Sequence, residues 1–264
     1  MRLSTWLDEN HRLPRLDLEL LLCARLKLTR AQVIAHRELQ IDQAALAGLR
    51  RDVERLNNAE PLAYILGSRE FYGITLSVNP AVLIPRPETE LLVDLALKVI
   101  TPGMRVLDLA TGSGAVAIAI AANCESIELH ASDLSLDALN VARHNAHQAG
   151  VELTFLESDL FASLNGRYDL VLSNPPYVAE NDPHLPALRY EPLLALVSGS
   201  DGMTALTRII QTAPDYLVHN GVLMLEHGFD QAMRVQTLMR ESFHDIQTHP
   251  DLGAHDRVTT GRRK

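Results

Sequence analysis

From Arg105 to Ser173 the chain repeats one unit: a short apolar run, a polar or glycine-bearing break, then apolar residues spaced three and four apart. Arg105-Val106-Leu107-Asp108-Leu109, Ile127-Glu128-Leu129-His130-Ala131, Leu153-Thr154-Phe155-Leu156 and the run from Leu170 read as strands. Ala115 to Ala122 and Leu136 to Gln148 read as helices between them. Strands separated by helices cannot pair as tight hairpins, so they are expected to lie parallel, with helices covering both faces. The prediction is an α/β fold with a mostly parallel sheet. Such a sheet binds ligands beyond the carboxyl ends of its strands, and the residues that follow each strand carry the expected chemistry.

The first strand runs into Asp108-Leu109-Ala110-Thr111-Gly112-Ser113-Gly114. Glycines let backbone pass close under a ligand, and the first turn of the next helix offers free N–H groups. Gly112-Ser113-Gly114-Ala115-Val116-Ala117 also satisfies the dinucleotide fingerprint, with Asp133 near the distance of a ribose-binding acid. A nicotinamide dehydrogenase is therefore one reading. Asp108 argues against it, since a carboxylate ahead of the glycines repels a pyrophosphate but attracts a cationic amino-acid group. A third acid lies in Ser158-Asp159-Leu160-Phe161, where a nucleobase fits between Asp159 and the apolar Leu160. Carboxylates after three successive strands suit an adenosine that bears a cationic amino acid, S-adenosylmethionine.

The fourth strand ends in Ser173-Asn174-Pro175-Pro176-Tyr177. Two prolines give the sheet no backbone donor and fix the φ angles of a rigid corner. There the Asn174 side-chain carbonyl and the Pro175 carbonyl can accept both hydrogens of a planar NH₂ group while the Tyr177 ring packs on its face. The plainer alternative is a proline turn that only ends the strand.

Residues 4 to about 66 show the helical period alone, with Thr29 and Asp42 as N-caps and Pro14 at a first turn. A small helical bundle is expected there. Arg50, Arg51 and Arg55 read either as a partner-docking patch or as a solvated face. From Tyr64 to Val78 the pattern alternates with glycines at turns, as in a β-hairpin connector. Pro85-Arg86-Pro87-Glu88 is a stiff loop before a helix, and Arg86 and Glu88 either reach the cleft or only join two domains. His184 lies near the substrate corner but reads as a solvent-exposed or loop residue; Glu226-His227-Gly228 ends the strand Val222-Leu223-Met224-Leu225, where it can border the cleft, and is assigned no chemistry.

Residues 1–70 carry 11 Lys and Arg against 10 Asp and Glu, whereas the remainder carries 13 against 23. An acidic second part disfavours long nucleic acid as a stable partner, because duplex binding needs clustered cations. No apolar run approaches the ~20 residues of a membrane span, and the first residues are too acidic for a signal peptide, so a cytoplasmic protein is expected. Cys23 and Cys124 lie in different segments, and the 11 histidines lack metal-ligand spacing, so neither a disulfide framework nor a metal site is expected.

The glycine loop, Asp133 and Asn174-Pro175-Pro176-Tyr177 together resemble class I methyltransferases that act on planar nitrogens. Tyr64-Ile65-Leu66-Gly67, Leu83-Ile84-Pro85-Arg86-Pro87-Glu88-Thr89-Glu90, Glu191-Pro192-Leu193-Leu194-Ala195-Leu196, Ser200-Asp201-Gly202 and Asp251-Leu252-Gly253-Ala254-His255-Asp256-Arg257-Val258 resemble the PrmC/HemK family of peptide chain release factor N5-glutamine methyltransferases. The resemblance implies a Rossmann-like, seven-stranded catalytic domain over 85–264, a hairpin linker over 67–84 and a helical substrate-recognition domain over 1–66. It implies that Ala110, Thr111, Gly112, Ser113 and Gly114, with Asp108, line the methionine and ribose side of S-adenosylmethionine, that Asp133 binds ribose hydroxyls, and that Asp159 and Leu160 flank adenine. Asn174, Pro175, Pro176 and Tyr177 would hold a glutamine side chain, with Arg86 and Glu88 nearby. The implied substrate is the Gly-Gly-Gln glutamine of class 1 release factors, methylated by a monomer; a ribosomal protein or a nucleobase amino group is the alternative. Ala110 departs from the family's usual glycine, and alanine is expected to hold φ below zero there, changing the loop.

Overall fold

The computed structural model describes residues 1–264, which separate into two compact units, Met1–Ser68 and Arg69–Lys264. The first unit is helical: α1 (Leu3–Glu9), α2 (Arg15–Leu26), α3 (Arg30–Ala35), α4 (Gln43–Asn57) and α5 (Leu62–Leu66). Apolar spacing brings Leu3, Trp6, Leu21, Leu22 and Leu49 into one core. Thr29 forms a capping box with Gln32, and Asp42 accepts the Ala45 amide at 2.8 Å. Two acids are buried against this core and each is matched by arginine: Glu19 by Arg15 and Arg30, Asp52 by a two-pronged contact from Arg25 at 2.6 and 2.7 Å. Arg50 and Arg51 face solvent, whereas Arg55 is paired with Glu60 at 2.5 Å.

Tyr64, Ile65 and Leu66, read above as the start of a hairpin, are helical. Pro61 sets a helix-compatible φ of −58°, and Gly67 closes the turn at φ 73°. Tyr64 and Ile65 are thereby buried on one face. The hairpin is confined to β1 (Ser68–Phe71) and β2 (Ile74–Ser77). Its two-residue loop, Tyr72-Gly73, has positive φ at both positions, the geometry that matches strand twist. Asn145 fastens this hairpin to the rest of its unit, accepting the Ser77 amide at 2.8 Å and donating to the Ser77 carbonyl at 3.0 Å.

After a 3₁₀ turn at Pro87–Thr89 come α6 (Glu90–Val99) and the sheet elements β3 (Arg105–Leu109), α7 (Ala115–Asn123), β4 (Glu128–Asp133), α8 (Leu136–Ala149), β5 (Thr154–Glu157) and β6 (Tyr168–Ser173). Then follow α9 (Thr204–Tyr216), β7 (Leu217–Glu226), α10 (Ala232–Met239), β8 (Phe243–Pro250) and β9 (Asp256–Arg263). The strand order is β5-β4-β3-β6-β7-β9-β8. The first five strands of that order are parallel, and β9 inserts antiparallel between β7 and β8. Helices cover both faces, which is why α7 is apolar all round and Ala115 to Ile120 are all buried. The expected α/β fold, helical N-terminal region and two-stranded hairpin are all present.

Strand order reverses between β3 and β6. The chain leaves β3 toward β4 and β5, then returns to β6 on the other side, leaving a crevice beyond these two strand ends. Leu109 and Ser173, their last residues, lie in register, and Ser173 Oγ donates to the Leu109 carbonyl at 2.5 Å. The glycine loop and the proline corner therefore leave the sheet side by side.

Candidate active site

The loop after β3 is built on three left-handed residues: Ala110 (φ 60°), Gly112 (φ 56°) and Gly114 (φ 81°). Ala110 thus keeps the conformation that glycine would adopt, contrary to the expectation of a φ below zero. Its neighbours overrule its preference. The Thr111 amide donates to the Ser132 carbonyl at 2.9 Å, and the Gly112 amide donates to Asp133 Oδ2 at 2.8 Å. The two glycines serve different ends. A Cβ on Gly114 would lie 2.9 Å from Ile118 Cδ1 and 3.1 Å from Ala142 Cβ, so glycine there lets α7 and α8 close on the loop. A Cβ on Gly112 would meet no protein atom within 4 Å, because that face opens on a cavity.

Asp108 is 2% exposed at the end of β3. Its Oδ2 accepts the Thr111 hydroxyl at 2.6 Å and the Ala117 amide at 3.2 Å, which leaves Oδ1 without a protein partner. Burial pushes this carboxyl up to about 7, against those two hydrogen bonds and with a further push from the charge of Asp133. At neutral pH it therefore sits where a nearby positive charge would complete its ionisation. Asp133 accepts Gly112 through one oxygen and the Ser135 amide through the other at 2.8 Å, so its orientation is fixed while burial raises its pKa. Asp159 is half exposed and paired with Arg208 of α9 at 3.0 Å, beside Leu160 with φ 51°.

At the proline corner, Asn174 and Pro176 line the same cavity as Asp108, Ala110, Gly112, Asp133 and Leu160. The cavity holds about 350 Å³, within the range of small-molecule clefts. Asn174 Nδ2 donates to Thr89 Oγ1 at 3.1 Å. Pro175 is buried, and Tyr177 packs on the core beneath the sheet, donating its hydroxyl to Glu226 Oε1 at 3.2 Å. Neither of these two lines the cavity as it stands. Burial and the charge of Glu226 raise the Tyr177 hydroxyl's pKa, so it stays protonated and donates.

Arg86 reaches the cavity wall and is held there by Glu191, at 2.5 Å, while the other Glu191 oxygen accepts the Ile84 amide at 3.0 Å. Glu88 is exposed and lies outside the wall. His184 is exposed and bonded to Asp182. Residues 81–86, 192–199 and the first turns of α9 complete the enclosure; Leu83 to Arg86 and Pro192 to Leu196 lie in stretches that carry the family resemblance, whereas no motif marked 197–199 or α9. Thr89 was missed as a site residue, and Glu226, noted as ending a strand beside the cleft, was given no role. The available signal was a carboxylate ending the apolar strand Val222-Leu223-Met224-Leu225, where a buried acid needs a reason.

The donor set fits S-adenosylmethionine. A fixed carboxylate at Asp133 suits vicinal hydroxyls, the free Oδ1 of Asp108 suits a cation, and the open face at Gly112 gives room for backbone contact.

Comparison with known proteins gives two matching family models, the PrmC N-terminal domain over residues 5–67 and the methyltransferase small domain over residues 87–189. A release factor glutamine methyltransferase from Coxiella burnetii is 43% identical over 255 residues, spanning 95% of this chain and 92% of that protein. One from Neisseria gonorrhoeae is 40% identical over 268 residues, spanning 99% and 98%. Among solved structures, the Thermus thermophilus 16S rRNA N2 G1207 methyltransferase in complex with AdoMet and guanosine superposes with a TM-score of 0.56 at 19% identity, covering 75% of this chain and 50% of that one. That likeness is one of fold.

Proposed function

Because the chain belongs to the release factor glutamine methyltransferase family, we propose that its cavity seats S-adenosylmethionine on the 108–114 loop and presents a release-factor glutamine to it at Asn174. The observation that carries this reading is the joint exit of the two loops: Leu109 and Ser173 are paired neighbours, and the residues after both line one cavity. S-adenosylmethionine supplies an electrophilic methyl group and a neutral thioether as leaving group. Asp133 accepts the ribose hydroxyls, Asp108 Oδ1 faces the methionine's positive charge, and Asp159 and Leu160 border the adenine.

An amide nitrogen is a poor nucleophile because its lone pair is shared with the carbonyl. Asn174 Oδ1 and the Pro175 carbonyl accept the two hydrogens of the glutamine NH₂, holding the nitrogen in one orientation as it pyramidalises. Pro176 walls the same corner, whereas the Tyr177 ring lies behind it on the core, tied to Glu226, and would support the corner rather than touch the amide. A methylated, still protonated amide is acidic enough to lose its proton to water, so no strong base is needed. Alignment in an enclosed site supplies most of the acceleration, with effective molarities of ~10⁵ M or more for well-oriented partners. Arg86, fixed by Glu191, shapes the approach to this corner; Glu88 faces solvent and would meet the protein substrate rather than its glutamine.

The substrate glutamine is that of the Gly-Gly-Gln motif in class 1 release factors, which places the enzyme in translation termination and in the cytoplasm. No helix of the chain is long and apolar enough to cross a membrane. Residues 1–66 would recognise the remainder of the release factor and residues 67–84 would join them to the catalytic part, acting as a monomer. The test is transfer of labelled methyl to purified unmethylated release factor beside the same factor with that glutamine replaced. Label on the first alone is expected; label on both would move the target to another residue, and label on neither would overturn the substrate.

A further inference from the structure

The exposed apolar side chains of the second unit are gathered at one edge. Leu134 and Leu136 follow β4, Leu193 and Leu194 follow β6, Phe229 and Met233 follow β7, and Leu252 follows β8. Because β8 and β7 both pair antiparallel to β9, they run in the same direction, and every one of these residues lies at the carboxyl edge of the sheet. No other large apolar residue of Arg69–Lys264 is exposed. Leu134 and Leu194 also line the cavity. The flanks are fastened to the backbone that follows the proline corner. Gln231, between Phe229 and Met233, donates to the Tyr177 carbonyl at 3.0 Å. On the other side the Val178 amide donates to the Leu196 carbonyl at 2.8 Å, and the Ser198 amide to the Val178 carbonyl at 2.9 Å, which seats the Leu193-Leu194 turn. The Phe229 ring meets His255 at 5.9 Å and so joins the Leu252 turn to its flank. Met233 is 79% and Phe229 64% exposed, a clustering of apolar surface that marks a contact face.

We propose that this edge of the catalytic unit is a docking face for the glutamine-bearing domain of the release factor, whose matching surface carries apolar side chains bordered by lysine and arginine. This rests on the reading that places a release-factor glutamine at Asn174. A glutamine side chain is short, so a protein that brings one to Asn174 lays the surface around it on this rim. The charges say what that surface is like. The arginines of the edge are taken up internally, Arg86 by Glu191, Arg208 by Asp159, Arg234 by Asp201 and Arg257 by Asp251, while Arg189 stacks on Tyr190 at 5.0 Å. Glu88, Glu180, Asp230 and Asp256 are exposed there and none of them is in an ion pair. Such a rim attracts a basic protein and repels a phosphate backbone or an anionic lipid surface. A second copy of the chain, meeting itself across a two-fold axis, would set these acids against each other.

The test compares the wild-type chain with two double variants, Phe229→Ser with Met233→Ser and Asp230→Lys with Asp256→Lys, for kcat, KM and equilibrium binding with unmethylated release factor, and by sedimentation. Removing the two apolar side chains is expected to raise KM and the dissociation constant for release factor roughly tenfold, the scale of a central contact. At saturating release factor kcat should stay within about twofold, and S-adenosylmethionine affinity should not move, because neither residue lines the cavity. Reversing the two acids is expected to raise KM several-fold at low salt and less at high salt, since exposed charges are screened. Unchanged KM in both variants, or a fall in kcat with KM unchanged, would overturn the docking face. A wild-type dimer that the serine variant dissociates would give the face to a second copy and overturn it as well. If the serine variant melts early, the lysine variant decides, since its substitutions lie on exposed positions with no ion pair to lose. A wild-type enzyme that transfers nothing to release factor would instead sink the reading of Asn174, and the docking face with it.

Discussion

The two loops that leave β3 and β6 side by side are made rigid by opposite means. The 110–114 loop is held locally: Thr111 bonds the neighbouring strand at Ser132, Gly112 bonds Asp133, and three left-handed residues turn the backbone. The proline corner has a backbone stiffened by its own rings, yet its functional side chains are oriented from far away. Asn174 is set by Thr89, 85 residues earlier, and Tyr177 by Glu226, 49 residues later. Gln231 adds a third remote tie, donating to the Tyr177 carbonyl at 3.0 Å. A cofactor seat shared by many enzymes can be encoded in one short segment. A seat for one protein side chain draws on residues that the fold alone brings together.

If this division is right, damage at the corner should reach chemistry without reaching the cofactor, and damage at the loop should do the reverse. The largest effect is expected from Asn174→Ala. Losing the acceptor should lower kcat with release factor by ~10²-fold or more, the scale of a removed transition-state hydrogen-bonding group. Calorimetric affinity for S-adenosylmethionine should hardly move. Retained transfer would refute the role of Asn174. Next comes Gly114→Ala, which combines a left-handed φ with Cβ contacts of 2.9 and 3.1 Å. It is expected to cost roughly 2–4 kcal/mol of unfolding free energy, read from denaturant melts, because α7 and α8 must part. Cofactor binding should fall with it.

A third effect is set by pH. Burial raises Asp108 to about 7 in the fold from its ordinary value of 3.8, so the native state holds its proton where the unfolded chain has lost it. Stability is thus highest below about 4 as far as this group is concerned, and falls as pH rises through the window up to about 7. Asp108→Asn keeps an oxygen for Thr111 and Ala117 and removes that penalty. Its melting temperature is expected to vary less between those limits, and above about 7 the variant should gain up to about 4 kcal/mol over wild type. Glu226, raised to a similar value, retains its own step in the same window. The cost should appear in cofactor affinity. A variant equally stable and equally tight in binding would remove Asp108 from the cofactor seat.

This contrast between local and remote support also decides what could be read from the sequence. Strands β3 to β6 and helices α7 and α8 are legible because their apolar periods are long and their breaks carry glycine or proline. The cavity's floor follows from them, since any residue after a parallel strand lies at the binding edge. Tyr64 to Leu66 misled because a short apolar run between turn residues fits helix or strand equally. The antiparallel pair β8 and β9 went unread since polar His244, Gln247 and His249, the first and last of them half-buried, give only a weak alternation. Thr89, Asn145, Glu191 and Glu226 are the real omissions at the site. Each acts on a residue 32 to 107 positions away, and no local pattern announces such a partner.

Ala110 gives the smallest and sharpest test of the comparison. Were the loop's shape dictated by its own residue preferences, alanine would have moved φ below zero and altered the cofactor seat. Instead the bonds of Thr111 and Gly112 hold the turn, and Ala110 bears the strain at φ 60°. A left-handed alanine costs ~1 kcal/mol or somewhat more relative to glycine, partly offset by the greater freedom glycine has in the unfolded chain. Ala110→Gly is therefore expected to raise stability by roughly 0.5–1 kcal/mol, a gain of about 1–4 °C in melting temperature for a chain of this size. Affinity for S-adenosylmethionine should stay within about twofold, because the loop already has its binding shape. A several-fold gain in affinity would show that the alanine strains the binding conformation more than the free one. A loss of stability would show that the unfolded-state entropy of glycine outweighs the strain, and that local conformation contributes less to this loop than its two hydrogen bonds.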